Sequence, residues 1–501
     1  EHLGTDAYSL QELVRDLGEK RFGKVPVVGD CFCGGGSVPF EAARMGCDVY
    51  ASDLNPVAAL LTWAALNING ASDKEIAKLR EFQKIIYDLA DKQILEWGIE
   101  TNEKGDRANA YLYCNETICP DCGYKVPLAP SWIIGKGTKT VAILKENNSK
   151  GFDIDIISNA SKAEIKLAEE LATIQNGKLV CPHCKMSTPI PVIRKDRIRE
   201  DGSTEYGLRK WGPKEFIPAP DDVFQERLYC IRYESEYVDR NGYIKTVRYY
   251  QAPTKSDLER EQKVIALLNE RFAEWQQKGY IPSSKIEEGD KTNELIRTRG
   301  WTYWHQLFNP RQLLTQGLLM ELIDQCAEIR EEKVVGLLGV NRCCNWNSKL
   351  SQWHSLSEIV NHTFYNQAFN TFFNYGTRGF IFLYTIWFFK INSTNKLSSV
   401  KSFIKLIDTR LLHSFSDIWI TDPPYDDAIN YHELSEFFLA WDKKMLLDVF
   451  PDWYADSKRA LAIKGMGETF KQSMVKVYRN LTDHMPDNGM QIVMFTHQDV
   501  R

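Results

Sequence analysis

A chain of 501 residues with 43% hydrophobic and 26% charged residues is ordinary globular material, which excludes disorder, collagen-like repeats and a coiled coil as descriptions of the whole. At ~150 residues per domain, the length suggests about three domains. The net charge of -5 excludes a wholly basic nucleic-acid binder, so any contact with nucleic acid has to come from a local basic face.

In chain order, Val25 to Gly29 is a short apolar run with the character of a buried strand. The turn Asp30-Cys31-Phe32-Cys33-Gly34-Gly35-Gly36-Ser37 follows, and its three glycines allow a sharp change of direction. Val38 to Met45 reads as a short helix stopped by Gly46, and Val49 to Ser52 as a second strand ending at Asp53. Leu54-Asn55-Pro56 opens the next helix, with Asn55 as its N-cap and Pro56 in its first turn. Ser72 to Glu75 is a capping box for a long helix toward Trp97. Strand, Gly-rich turn, helix, strand and acidic residue make a nucleotide-type binding unit. The loop lacks the third glycine of a dinucleotide fingerprint and the Lys-Ser/Thr ending of a phosphate loop. A glycine turn without phosphate machinery, followed by Asp53 as a clamp for the two ribose hydroxyls, suits S-adenosylmethionine.

Twelve cysteines in 501 residues are too few for a disulfide scaffold, and a reducing, cytosolic setting with a metal site fits better. Cys119-Pro120-Asp121-Cys122 and Cys181-Pro182-His183-Cys184 read as two knuckles that together complete a four-thiolate, structural zinc site. Their separation exceeds the ~15 to 20 residues of a simple ribbon, which implies a decorated loop between them. His183 is a weaker alternative ligand, and Cys114 and Cys230 read as small buried residues. Residues 193–214 are rich in Lys and Arg with Tyr206 and Trp211 interleaved; the stretch could track phosphates or be a solvated face balanced by Asp196, Glu200 and Asp201. Ser256 to Glu259 should cap a helix running to Gly279, and Pro310 should open another. Arg311 could reach a phosphate, but reads better as a surface arginine. Asn341 to Trp353 could read bases or form a polar turn cluster. Gly379 to Phe389 is the most apolar run, shorter than the ~18 residues of a membrane helix, and should be buried core. No signal peptide is visible, in a chain that opens on Glu1 rather than Met.

Ser416 to Thr421 is a strand running into Asp422-Pro423-Pro424-Tyr425. The Asp422 carboxylate and the Pro423 carbonyl can both accept hydrogen bonds from an exocyclic amine, orienting it for attack on a methyl donor. Pro424 stiffens the turn, and Tyr425 offers a ring on which a flipped base can stack. Asn430 to Trp441 and Phe470 to His484 read as helices, Pro486 to Gly489 as a turn and Met490 to Phe495 as a strand. The chain then stops at Arg501, where such a sheet would normally still need strands. Gly36 and Asp422 lie far beyond the ~2 to 6 residues of an ordinary connecting loop, so a large insertion must sit inside the catalytic domain.

The segments Asp30 to Pro56, the two CxxC pairs, Asn309 to Leu314 and Thr421 to Trp441 resemble the adenine-specific DNA methylases that contain a zinc ribbon, a group of amino-group DNA methyltransferases. Some members serve phage-defence systems such as DISARM. One departure is Cys31, where that family usually has Pro. The resemblance implies S-adenosylmethionine bound by Asp30, Phe32, Cys33, Gly34, Gly35, Gly36, Asp53, Leu54 and Asn55. It implies methyl transfer to adenine N6 in flipped-out double-stranded DNA at Asp422, Pro423, Pro424 and Tyr425, and a zinc ion on Cys119, Cys122, Cys181 and Cys184. The expected fold is α/β, a Rossmann-like methyltransferase domain (1–100 and 411–501) interrupted by an α+β insertion (101–410) with the ribbon at about 110–195 and a target-recognition region. A cytoplasmic protein is expected, in a restriction-modification or phage-defence system, with further defence subunits as candidate partners. The alternatives are an RNA or protein amide-nitrogen methyltransferase, or an inactive zinc-ribbon nucleic-acid-binding subunit.

Overall fold

The computed structural model describes residues 4–388, 390–391, 397, 400–424, 430–463 and 467–494. The chain divides into two compact units. The first comprises Glu1–Lys84, Ile323–Leu338 and Phe389–Arg501; the second comprises Ile85–Leu322 and Gly339–Phe388.

The first unit is built on a five-stranded sheet of Val27–Asp30, Asp48–Asp53, Ser402–Leu406, Ile418–Thr421 and Met490–Val493. Every neighbouring pair is parallel. Numbered along the chain, the strands lie in the order 3-2-1-4-5. This is a mixed α/β arrangement compatible with a Rossmann-like core. Val49 and Tyr50 are adjacent in one strand and therefore point to opposite faces. Val49 packs with Ala43 and Leu66 of the helices Ser37–Arg44 and Pro56–Asn67. Tyr50 packs with Trp419 and with Val477 and Leu481 of the helix Glu468–Asp483. Both faces of the sheet are thus covered, as a parallel sheet requires.

Three features differ from the sequence reading. Residues 402–406, placed above within the insertion, form the edge strand beside Asp48–Asp53. Only Phe403 and Lys405 of this strand are exposed, so its pattern is the weak alternation of an edge rather than an apolar run. With that strand and Met490–Val493 the sheet has five strands within the described residues. The helix expected over 430–441 is two pieces, Tyr431–Leu434 and Glu436–Val449. The helix after the Gln225–Gln251 hairpin is capped at Thr254 rather than Ser256: Thr254 accepts from Asp257 N and Asp257 accepts from Thr254 N in return.

The second unit centres on an antiparallel sheet of Ile244–Gln251, Gln225–Val238, Arg107–Ile118 and Asn374–Arg378, with Lys125–Leu128 paired to the end of the long strand Arg107–Ile118. Two three-stranded sheets accompany it, Ile133–Gly135 with Thr140–Asn147 and Gly151–Ile157, and Ile174–Gln175 with Lys178–Val180 and Ser187–Pro189. The apolar run after Gly379 is the helix Phe380–Trp387, with Phe380, Leu383, Ile386 and Trp387 buried. Among the described residues no helix is long and apolar enough to cross a membrane.

Candidate functional site

In an open parallel sheet a ligand site forms beyond the carboxyl ends of the strands, where the strand order reverses. Here the reversal lies between Val27–Asp30 and Ile418–Thr421, which pair through Val28 with Ile418 and Gly29 with Trp419. The first strand runs directly into the Gly-rich turn, and the second directly into Asp422 and Pro423. Asp53 ends the neighbouring strand on the same edge. Three carboxylates on three adjacent strands therefore converge at one edge of one sheet, and Asp53 and Asp422 both act electrostatically on Asp30.

The Gly-rich turn is held by backbone and carboxylate bonds. Cys33 N donates to Ser52 O at 3.1 Å and Gly36 N to Cys33 O at 2.7 Å. Gly34 (φ 49°) and Gly36 (φ 82°) occupy the left-handed region, and a Cβ on Gly36 would come within 2.9 Å of the Thr62 backbone. Gly35 differs, since a Cβ there would meet nothing within 4 Å. Gly34 and Gly36 are demanded by the turn, whereas Gly35 faces open space. Phe32 is half-buried beside them, and Cys31 and Cys33 are buried thiols whose pKa values burial drives far up, so neither is a ready nucleophile.

Asp53 staples this turn to the second strand. Its Oδ2 accepts from Gly34 N at 3.0 Å and its Oδ1 from Asn55 N at 2.8 Å. The Leu54 N–H also bears on this carboxylate, and of its about four acceptor positions one or more remain open. Asn55 caps the following helix by accepting from Val57 N at 3.0 Å. The Leu54 carbonyl accepts from the Tyr454 hydroxyl at 2.7 Å. Burial and the charge of Asp53 raise the Tyr454 phenol above its usual range. The sequence carried no signal for Tyr454, which lies in an irregular loop outside any motif. Asp422 is exposed, Pro423 buried and Pro424 half-buried; Tyr425 lies outside the described residues.

Asp30 is 3% exposed, and burial lifts its carboxyl to about 7, against one bond from Phe32 N and with the Asp53 and Asp422 charges adding to the rise. The folded chain thus keeps a proton that the unfolded chain releases near pH 4, so stability is fully present below that and falls as pH climbs through about 7. The full cost above pH 7 is up to about 4 kcal/mol at ~1.4 kcal/mol per unit. Asp30→Asn should abolish that decline and exceed the parent in stability at pH 8. Denaturant unfolding of both proteins from pH 4 to 8 checks this; parallel curves would refute it.

The second unit holds the four cysteines. Cys119 follows the strand Arg107–Ile118 and Cys181 follows Lys178–Val180. All four sulfur atoms lie within 4.8 Å of one another. The closest contacts run between the knuckles, Cys119 to Cys184 at 3.8 Å and Cys122 to Cys181 at 3.7 Å. A tetrahedron with Zn–S of ~2.3 Å has an edge of about 3.8 Å, so the thiols are spaced to hold one metal such as zinc. They are far from the ~2.05 Å of a disulfide. The knuckles share one backbone pattern: Cys119 N donates to Tyr124 O and Gly123 N to Cys119 O, and likewise Cys181 N to Met186 O and Lys185 N to Cys181 O. His183 stacks on Tyr124 at 3.7 Å with its Nδ1 3.1 Å from Glu146, and it stands outside the cluster. Cys114 and Cys230 are buried in the large sheet and stand outside it too.

The fifth position of each knuckle has positive φ, filled by Gly123 (77°) in one and Lys185 (61°) in the other. A left-handed residue with a Cβ costs ~1 to 2 kcal/mol, offset in part by the entropy glycine loses on folding. Lys185→Gly should therefore stabilise this unit by about 0.5 kcal/mol, read as a small rise in melting temperature. A fall would show that the Lys185 ammonium contact with the Pro182 carbonyl outweighs the backbone strain.

Three other sequence candidates resolve into structure. Arg311 is buried rather than a surface residue, lying 3.9 Å over the Tyr111 ring and ion-paired with Glu261. Asn347, Ser348 and Ser351 form a buried polar cluster with Thr363 and Gln312. In the basic stretch Arg194 pairs with Asp196, Arg199 with Glu205, and Arg209 with Asp222 and Glu215, while Trp211 is buried.

The first unit is thus of the α/β class with an acidic, glycine-lined sheet edge as a candidate site, and the second carries a four-cysteine cluster. No protein-family model, curated protein or solved structure matches the chain.

Proposed function

We propose that the protein is an S-adenosylmethionine-dependent methyltransferase acting on the N6 amine of adenine in DNA, with a structural zinc ribbon in an insertion. The observation that carries this reading is the meeting of the Gly-rich turn, Asp53 and Asp-Pro-Pro at the switch point of a parallel sheet, although they are far apart in sequence.

On this reading Asp53 takes the ribose hydroxyls with the acceptor capacity that its backbone partners leave open. The open space at Gly35 admits the ligand to the backbone. Asp422 and the Pro423 carbonyl accept from the two hydrogens of the amine, leaving its nitrogen lone pair directed at the methyl group. The N–C bond would form as the cofactor's methyl–sulfur bond breaks and the neutral thioether leaves, and the methylated amine would then pass its proton to water, so no strong base is needed. Tyr425 supplies the stacking ring by its place in the motif. Zinc, held by Cys119, Cys122, Cys181 and Cys184, would fix the two knuckles and leave no open position for chemistry. DNA and phage-defence subunits are the partners this reading implies.

The test is transfer of a labelled methyl group from S-adenosylmethionine to duplex DNA of mixed sequence, followed by nucleoside analysis. Label in N6-methyladenine is expected. Label only in RNA or protein would move the acceptor, and cofactor binding without transfer to any acceptor would point to an inactive binding subunit.

A further inference from the structure

The second unit contains a cavity of about 200 Å³ that the reading above does not use. A cavity of ~150 Å³ accepts a benzene ring, so this one has room for a somewhat larger planar ring system. Its walls include Trp211, Phe224 and Trp301, all buried.

Two buried polar side chains line the same space. Asn115 is 6% exposed, and its amide has no hydrogen-bond partner among the described residues. Arg299 is 7% exposed and stacks on Phe224 (5.3 Å) and Phe373 (4.7 Å). It donates to the carbonyls of Thr298 and Phe372, and no carboxylate lies in ion-pair range among the described residues. Burial lowers its pKa to about 10. Arg209 and Asp222 pair with each other at 2.8 Å, and Glu226 pairs with Lys349 at 2.6 Å. The charged lining residues balance, Lys195, Arg209 and Arg299 against Asp221, Asp222 and Glu226, and Arg299 and the exposed Lys195 are the lining cations without an ion pair among the described residues.

Two indoles, each with the Lys349 ammonium 5.2 Å from its ring, an amide offering both a donor and an acceptor, and two cations without an ion pair complement one ligand chemistry. Indoles stack on the π-face of a base, an asparagine amide can match two adjacent groups on a base edge, and cations attract phosphate. We propose that this cavity binds a nucleotide, the base against Trp211 and Trp301 with its edge on Asn115, and the phosphate drawn by Arg299 and Lys195. The occupant is either a free nucleotide or an unstacked residue of a single strand. The proposal stands apart from methyl transfer, because its residues and the carboxylate cluster belong to different units.

The experiment titrates the full chain with AMP, GMP, CMP, dTMP, inorganic phosphate and a single-stranded tetranucleotide, followed by tryptophan fluorescence and calorimetry. Saturable binding of at least one monophosphate is expected, with inorganic phosphate much weaker. Asn115→Ala removes no hydrogen bond of the fold, so it should weaken binding about tenfold at an unchanged melting temperature. Lys195→Ala, at an exposed site, should weaken binding a few-fold and flatten its salt dependence. Tighter binding of the tetranucleotide than of any monophosphate identifies the strand as the source, and the reverse order identifies the free nucleotide. The proposal is overturned if no monophosphate saturates, if neither variant changes affinity, if phosphate alone binds as tightly, or if Asp422→Ala abolishes the binding.

Discussion

Asp422→Ala should lower methyl transfer by about 10³-fold or more while S-adenosylmethionine still binds, on the scale seen when a preorganised hydrogen-bonding group is removed from a reacting centre. Asp422 is exposed in the unliganded chain, so its loss should change folding stability by no more than ~0.5 kcal/mol. The residues proposed to hold the cofactor, Asp53 and the Gly-rich turn, bond to one another without it. One side effect follows from the electrostatics: Asp422 helps raise the Asp30 carboxyl, so removing it should let that pKa fall. Asp422→Asn separates charge from hydrogen bonding. Its carbonyl can still accept from the amine but without the full negative charge, so activity should fall between the parent and Asp422→Ala. Single-turnover rates at saturating cofactor, with cofactor affinity measured separately, decide the matter. Turnover of Asp422→Ala within tenfold of the parent would remove Asp422 from the mechanism.

The turn at the candidate site was legible because backbone geometry writes itself into composition. Gly34 and Gly36 stand where positive φ is required, Asn55-Pro56 marks a helix start, and Asp53 closes a strand. The pairing of distant segments was not legible. Nothing local in Ser402–Leu406 announces that it lies beside Asp48–Asp53, because an edge strand needs only a partial apolar pattern. Arg311 was misread for a related reason: a charged side chain signals exposure until a buried partner, here Glu261 many residues away, neutralises it. The cysteine cluster was legible as spacing alone, since the chemistry of four thiols does not depend on the fold around them. What the sequence lacked was the core in which they sit.

That core sets the size of the second effect, the loss of the metal. Cys119 and Cys181 are buried with Val126, Leu128, Phe152 and Leu179, and Cys122 and Cys184 pack against the same cluster. Without a metal, four thiols spaced at 3.7 and 3.8 Å gain nothing from their closeness, and the strands that deliver them lose their tie. A structural zinc supplies ~10 kcal/mol or more in small domains that fold only around it. The surrounding sheet keeps part of the structure here, but even half that amount lowers a melting temperature by about 10 °C or more in a unit of this size. The purified chain should therefore carry one zinc, and a strong chelator should remove it with a fall of that order. Cys181→Ser should bind no metal and melt at the chelated value. Limited proteolysis should then open the sheet of residues 174–189 with its Cys181 knuckle first, because the Ile133–Ile157 sheet is packed against the larger one through Trp132, Ile134, Val141 and Ile154 with or without a metal. A chain that carries no stoichiometric metal, and in which Cys181→Ser melts like the parent, would reduce the four cysteines to packing.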